Sequence, residues 1–136
     1  MPRALEWDDS FLTGVSLFDQ QHRKLFDMVN DLHDSMQQKR SREVVGQTLD
    51  RLIQYTGSHF AAEEEAMAKT GYPEDAKHRQ HHVKLVETAL DLQRKFKSGE
   101  ALMTQSVIEF LQDWLINHIK GVDKNYGPYL NKHGVR

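Results

Sequence analysis

The stretch of sequence that decides the fold is residues 59–82, HFAAEEEAMAKTGYPEDAKHRQHH. At its centre Gly71-Tyr72-Pro73 separates two long segments rich in helix-forming residues, and glycine is typical of a helix end as proline is of a helix start. Histidine and glutamate recur on both sides of this joint, as His59-x-x-x-Glu63 and His78-x-x-x-His82. Residues four apart lie on one face of a helix. The stretch therefore predicts two helices that turn back on each other and bring these side chains to one level.

Residues typical of helix ends also recur in the rest of the chain, and the whole sequence predicts four helices. Their expected bounds are 17–38, 41–69, 73–97 and 101–120, with Ser16 and Ser41 as N-caps of the first two and Gly99 after the third. Short connections make neighbouring helices antiparallel, and no stretch alternates as a strand would. We therefore predict an all-α fold, an up-down-up-down antiparallel four-helix bundle. It forms a single domain over residues 1–136, with a non-helical N-terminal arm (1–16) and a non-helical C-terminal tail (121–136).

Composition excludes several classes of protein. The chain has 136 residues, and its 18 Lys and Arg against 20 Asp and Glu give a net charge of −2, which is atypical of nucleic-acid-binding proteins. The absence of cysteine rules out disulfides, iron–sulfur clusters, Cys-type zinc sites and thiol nucleophiles. No apolar run approaches the roughly 18 residues of a membrane span, and no signal peptide is visible. We therefore expect a cytoplasmic protein, with no nucleic-acid partner and no membrane contact by this domain.

Histidine is the unusual residue type, with 8 copies, and helical phase places most of them on apolar faces. At about 100° per residue, Glu63 lies about 40° from His59, inside the apolar stripe of the second helix. On the third helix His82 lies about 40° from His78, whereas His81 lies about 60° away on the other side, at the edge of the apolar face. A buried glutamate is costly unless something pairs with it. We interpret His59, Glu63, His78 and His82 as metal ligands and His81 as a flanking residue.

The first and fourth predicted helices supply further candidate metal ligands. His22 and His118 lie on their apolar faces, and Asp123 follows the fourth helix. Taken singly, each histidine could be a hydrogen-bonded core residue, but five inward histidines and a glutamate cannot all be satisfied by hydrogen bonds in so small a core. Tetrahedral zinc takes four ligands and the mononuclear iron triad takes three, so these seven residues suit two ions bridged by carboxylates.

This pattern resembles the hemerythrin family, specifically its bacterial members. The resemblance extends from Trp7 to Val135 and rests on Gln21-His22, His59-Phe60-Ala61-Ala62-Glu63, His78-x-x-x-His82 and His118-x-x-x-x-Asp123. It implies two Fe ions bridged by Glu63, Asp123 and an oxo or hydroxo group. It further implies that His78, His82 and His118 hold the coordinatively full iron, and that His22 and His59 hold the open iron where dioxygen binds. The oxygen pocket would be formed by Phe60, Trp114, Leu115 and Ile119, although ordinary core packing explains Trp114 equally well.

The sequence leaves three functions open. The resemblance favours a protein that binds dioxygen reversibly for transport, storage or sensing and is not an enzyme. The alternative is a di-iron enzyme, such as a peroxidase, a nitric oxide or oxygen reductase, or a ferroxidase, although the ligands are rich in histidine and include no Glu-x-x-His pair. The third is a metal-free structural bundle. Similar domains occur alone and fused to signalling proteins, including chemotaxis receptors, so the partner beyond dioxygen is either the rest of a receptor or an oxygen-consuming enzyme.

The spacing between His118 and Asp123 predicts a break in the fourth helix. Five residues turn a regular helix by about 500°, which leaves Asp123 about 140° away from His118. Either the helix ends near Lys120, or it carries a π-type bulge between Ile119 and Asp123. Gly121 is the residue expected to absorb the change, because glycine adopts backbone angles denied to other residues. We also expect Ile119, which follows His118, to control access to the open iron.

Overall fold

Four long helices form the molecule, in a computed structural model that describes residues 5–39, 41–99 and 105–136. They are α1 (Ser16–Gln37), α2 (Arg42–Thr70), α3 (Asp75–Ser98) and α4 (Gln105–Gly121). Helix α1 packs against α2 and α4, and α2 packs against α3. The described residues include no strand. The predicted all-α, antiparallel four-helix bundle is confirmed.

The helix ends follow local chemistry. The Ser41 hydroxyl accepts a hydrogen bond of 3.2 Å from the Val44 amide, which caps α2 as predicted. Gly71 (φ 68°) and Gly99 (φ 84°) end α2 and α3 in the left-handed conformation that favours glycine.

Three details of the predicted ends need correction or lie outside the structure. Ser16 is the first residue of α1, and Val15 takes the cap position without a side-chain bond. Pro73 precedes α3, which begins at Asp75. Residues 101–104, the expected start of the fourth helix, lie outside the described residues.

The prediction that the arm and tail are non-helical is wrong. A 3-10 helix spans Asp9–Phe11 in the arm, and the tail contains a 3-10 helix, Asp123–Tyr126, followed by α5, Gly127–Lys132. A helix as short as α5 is unstable alone and depends on packing. Pro128 lies in its first turn, and Leu130 is fully buried, so a favourable start and apolar burial together account for it.

Two apolar clusters fill the bundle. The main core joins all four helices to the arm and includes Leu5, Phe11, Phe26, Leu32, Leu52, Phe96, Ile108, Leu115 and Ile119. The second core consists of Val15, Phe18, Met67, Tyr72, Tyr126 and Leu130. Because the tail supplies Tyr126 and Leu130 to the second core, its short helices cover the part of the bundle where the second core lies.

The arm and tail are held by specific contacts. Asn30 on α1 accepts from the Leu5 amide (2.9 Å) and donates to the Leu5 carbonyl (3.0 Å). Gly127 approaches the arm so closely that a Cβ atom there would lie 1.9 Å from the Thr13 carbonyl oxygen. Arm and tail therefore meet at a place that only glycine fits. None of the described helices combines the length and apolar character needed to cross a membrane.

Candidate metal centre

The structure brings all seven predicted ligand residues into one buried cluster. The residues come from all four helices and the 3-10 helix that follows α4, and none is more than 6 % exposed: His22, His59, Glu63, His78, His82, His118 and Asp123. The inward phase predicted for His82 is confirmed, because His82 is 2 % exposed, and His81, predicted at the edge of the apolar face, lies on the surface.

The donor atoms separate into two groups that share both carboxylates. One group contains His78, His82 and His118, the other contains His22 and His59, and Glu63 and Asp123 belong to both. Within each group the atoms lie within 4.8 Å of one another. This arrangement offers two adjacent positions for a cation that share both carboxylates.

Histidine nitrogens surround each carboxylate. Asp123 Oδ1 lies 3.0 Å from Nε2 of His78 and 3.1 Å from Nε2 of His118, and Asp123 Oδ2 lies 2.9 Å from Nε2 of His22. Glu63 Oε1 lies 3.2 Å from Nε2 of His82 and 3.4 Å from Nε2 of His59. Each carboxylate therefore faces histidines of both groups.

The hydrogen bonding of the buried nitrogen and oxygen atoms shows whether these residues fit a metal. Nε2 of all five histidines, both Asp123 oxygens and Glu63 Oε1 are buried and form no hydrogen bond of normal geometry, although they face one another at 2.9–3.4 Å. Buried polar atoms normally find a partner, because leaving them bare is costly. Imidazole nitrogen and carboxylate oxygen without thiolate suit iron. The cluster thus fits a carboxylate-bridged di-iron centre.

Asp123 reaches the cluster because α4 stops before it. The helix ends at Gly121, Val122 adopts φ −120° and ψ −57°, and Asp123 begins the 3-10 helix. The predicted helix end is thereby confirmed, and residues 105–136 contain no π-type bulge. The role predicted for Gly121 is wrong, because Gly121 has no left-handed φ and the backbone turns at Val122.

Two side chains outside the cluster orient its members. The Tyr126 hydroxyl donates to Glu63 Oε2. His59 Nδ1 faces Oε1 of Gln21, which can only accept, so the proton of His59 lies on Nδ1 and Nε2 is left free for a metal. The sequence prediction missed both roles: Gln21 was noted beside His22 without a function, and no periodicity connects Tyr126 with Glu63.

Without metal, the carboxylates hold protons on two of the histidines. Burial opposes the charged imidazole, but Asp123 and Glu63 outweigh it and raise the pKa of His22 to about 9 and that of His78 to about 9. Burial likewise opposes ionisation of Glu63, yet the surrounding histidines lower its pKa well below the usual value. Burial lowers the pKa of His82. The metal-free cluster therefore holds two protonated imidazoles, those of His22 and His78, beside its two carboxylates.

Of the four residues predicted to form the oxygen pocket, two touch the histidines. Phe60 stacks on His82 at 3.8 Å between ring centroids, and Trp114 stacks on His118 at 6.1 Å. Phe60 also lies 6.0 Å from the His59 ring, so it borders both groups, whereas Trp114 borders the three-histidine group. Leu115 and Ile119 are buried in the main core, and their place in an oxygen pocket stays a prediction.

The other three histidines lie outside the cluster, as predicted. His33 is buried in α1, and His81 is on the surface of α3. His133 is exposed in the tail and stacks on Tyr129 at 4.2 Å.

Comparison with known proteins agrees with this geometry. The profile of the hemerythrin HHE cation binding domain matches residues 13–130. The bacteriohemerythrin of Methylococcus capsulatus is 48 % identical over 89 % of this chain and 92 % of its own length, and a hemerythrin-like protein of Naegleria gruberi is 35 % identical over 96 % and 97 %.

Solved structures extend the likeness to the fold. A crystal structure of wild-type hemerythrin superposes with a TM-score of 0.89 and 45 % identity, over 93 % of this chain and 98 % of that one. A single-substitution variant of hemerythrin gives a TM-score of 0.90 and 44 % identity, over 95 % and 98 %. A sequence match over most of the chain and a shared fold lead to one conclusion: this chain belongs to the hemerythrin family.

Proposed function

We propose that this protein binds dioxygen reversibly at a non-heme di-iron centre. The observation that carries the proposal is the division of five imidazole nitrogens into two adjacent groups that share both carboxylates. Bound in these positions, a pair of iron ions supplies the reversible two-electron chemistry that dioxygen binding needs.

The ligand assignment follows the two groups. His78, His82 and His118 would hold one iron, and His22 and His59 would hold the other. Glu63 and Asp123 would bridge them, since each carboxylate lies beside histidines of both groups. With fewer protein ligands, the two-histidine position is the one with room for dioxygen.

The chain's own residues favour binding over turnover. His22 and Glu63 are completely buried, and Phe18 packs its ring edge-on to His59 at 6.1 Å. Burial of this kind excludes water and stray protons, which protects a bound oxidant from side reactions. The ligands are dominated by histidine, whereas di-iron carboxylate proteins build their sites mainly from glutamate. We therefore infer a binding protein rather than an enzyme.

The wider role follows from oxygen binding. Transport, storage and sensing all use the same centre, and they differ in whether the domain passes dioxygen to an oxygen-consuming enzyme or a signal to an attached receptor. The single-domain organisation over 1–136 and the cytoplasmic location stay predictions.

The experiment is iron reconstitution without oxygen, followed by cycles of air and argon. Two iron ions per chain, a change from nearly colourless to pink in air and its reversal under argon are expected. Fewer than one iron per chain would contradict the metal site. Irreversible oxidation, or steady consumption of an added reductant in air, would show an enzyme instead.

A further inference from the structure

A buried metal site needs a path from solvent, and this cluster is closed over most of its surface. Its least buried members are His118, 6 % exposed, and His78, 3 % exposed. Both belong to the three-histidine group, whereas His22 and His59 of the other group are 0 % and 1 % exposed. Solvent therefore comes nearest to the cluster on the three-histidine side.

Two open surface pockets reach these two histidines. The first, about 530 Å³, lies between the start of α3 and the turn after α4, and His78 forms part of its wall. The second, about 620 Å³, lies along the groove between α3 and α4, and His118 forms part of its wall. A hydrated ion can thus come within contact of a cluster ligand from either pocket.

His81 stands where the two pockets meet. His81 and Val122 line both of them, and His81 is exposed to solvent. Each pocket also carries one carboxylate and one lysine, Glu74 with Lys77 in the first and Asp113 with Lys84 in the second. Because the two opposite charges in each pocket cancel, neither pocket attracts a cation by its net charge. The imidazole of His81 is then the strongest neutral metal donor that both pockets offer.

We propose that His81 is a transient ligand for the incoming divalent metal ion, and that it passes the ion to His78 or His118. The three-histidine position fills first from solvent, and the deeper two-histidine position fills through it. This inference rests on the proposed function, because it presumes that the cluster takes metal.

The test is the rate of Co²⁺ uptake by the metal-free protein, followed by the absorption of bound Co²⁺ after rapid mixing. His81→Ala should slow uptake by roughly tenfold, within the range by which changes at a contact surface alter association rates. Release to an excess of chelator should slow by the same factor. Affinity and the number of bound ions should not change, because His81 lies on the path and not in the final site.

Two controls separate a ligand from a surface effect. His133→Ala removes another exposed imidazole far along the chain and should retain the wild-type rate. Lys84→Ala removes a positive charge from the second pocket without removing a metal donor, so its uptake should be no slower than that of the wild type. Uptake by the wild type should depend weakly on salt, since the charges in each pocket offset each other.

Several results would overturn the inference. Unchanged uptake in His81→Ala would remove His81 from the path. Slower uptake combined with faster release would show that His81 stabilises the loaded site instead. If the wild-type protein takes up no metal, the proposed function itself fails, whereas normal loading with no effect of His81 sinks only this inference.

Discussion

The Tyr126 hydroxyl donates a hydrogen bond to Oε2 of Glu63, and both side chains are completely buried. Burial, followed by the charges of Glu63 and Asp123, raises the pKa of Tyr126 well above its usual value, so the hydroxyl keeps its proton and acts as a donor. The bond leaves Oε1 facing the histidines, 3.2 Å from His82 Nε2. The tail thus orients the carboxylate that both metal positions share.

Tyr126→Phe should leave Glu63 Oε2 buried without its donor. We expect a loss of about 1–3 kcal/mol in the free energy of unfolding of the metal-free protein, measured by urea denaturation. Metal affinity should fall by about tenfold or more, the usual effect of removing a partner of a ligand.

Tyr129→Phe is the matched control for this change. The Tyr129 hydroxyl donates to the carbonyls of Thr70 (2.6 Å) and Gly71 (3.0 Å), away from the cluster. This variant should retain the wild-type metal affinity. Equal affinities in the two variants would contradict a role for Tyr126 in orienting Glu63.

Gly127 should tolerate no side chain. A Cβ atom there would lie 1.9 Å from the Thr13 carbonyl oxygen, so Gly127→Ala must push the arm and tail apart. We expect a loss of about 1–3 kcal/mol, typical of overpacking. Thermal unfolding of the metal-free protein measures the change.

Gly121→Ala supplies the comparison within the same part of the chain. A Cβ atom at Gly121 would have no neighbour within 4 Å, and its backbone is not left-handed. Stability should stay within about 0.5 kcal/mol of the wild type. A large loss here would mean that the turn before Asp123 depends on glycine after all.

The cluster was predictable from the sequence because its members lie on long helices of regular phase. His59 and Glu63, and His78 and His82, share a face by the same spacing that buries the apolar residues beside them. The tail was not predictable in this way. The helix Gly127–Lys132 is too short to display a period, and it owes its stability to contacts of Tyr126 and Leu130 with α1 and α2. For the same reason the partnership of Tyr126 with Glu63, far apart in the chain, left no local signal.

Metal loading should release protons. The pKa values of His22 and His78 in the metal-free protein are about 9, against an ordinary 6.5, so both imidazoles are charged near neutral pH. Because a metal binds only the neutral imidazole, loading at pH 7 should release about two protons from this pair. A pH indicator in weakly buffered solution measures the release, and none at pH 7 would contradict the raised pKa values.

The raised pKa values of His22 and His78 also predict that the stability of the metal-free protein and its affinity for metal change with pH in opposite directions. The charged imidazoles of His22 and His78 contribute their full stabilisation to the metal-free fold below about pH 6.5, and this contribution disappears as the pH rises through about 9. Metal affinity should instead increase with pH over that window, because fewer protons must be displaced. Denaturation of the metal-free protein and metal titration, each repeated across this range, should give slopes of opposite sign.

Asp123 is the ligand whose assignment depends most on the backbone, since α4 must end for it to reach the cluster. Its oxygens lie 2.9 Å from His22 Nε2 and 3.0 Å from His78 Nε2, which places one carboxylate against histidines of both groups. Asp123→Asn removes a charge that both metal positions share. It should reduce bound iron to fewer than two ions per chain, counted after gel filtration. It should also destabilise the metal-free protein by about 3–5 kcal/mol, as breaking a buried charge pair does.

Asp113→Asn makes the same chemical change on the same stretch of chain, at an exposed position of α4. It should leave both the iron count and the stability of the protein at their wild-type values. Proton release on loading separates the two variants further, because the Asp123 carboxylate is what chiefly raises the pKa of His22 against the effect of burial. In Asp123→Asn the release at pH 7 should therefore decrease. If Asp123→Asn still holds two iron ions with unchanged affinity, the second bridging carboxylate is not Asp123.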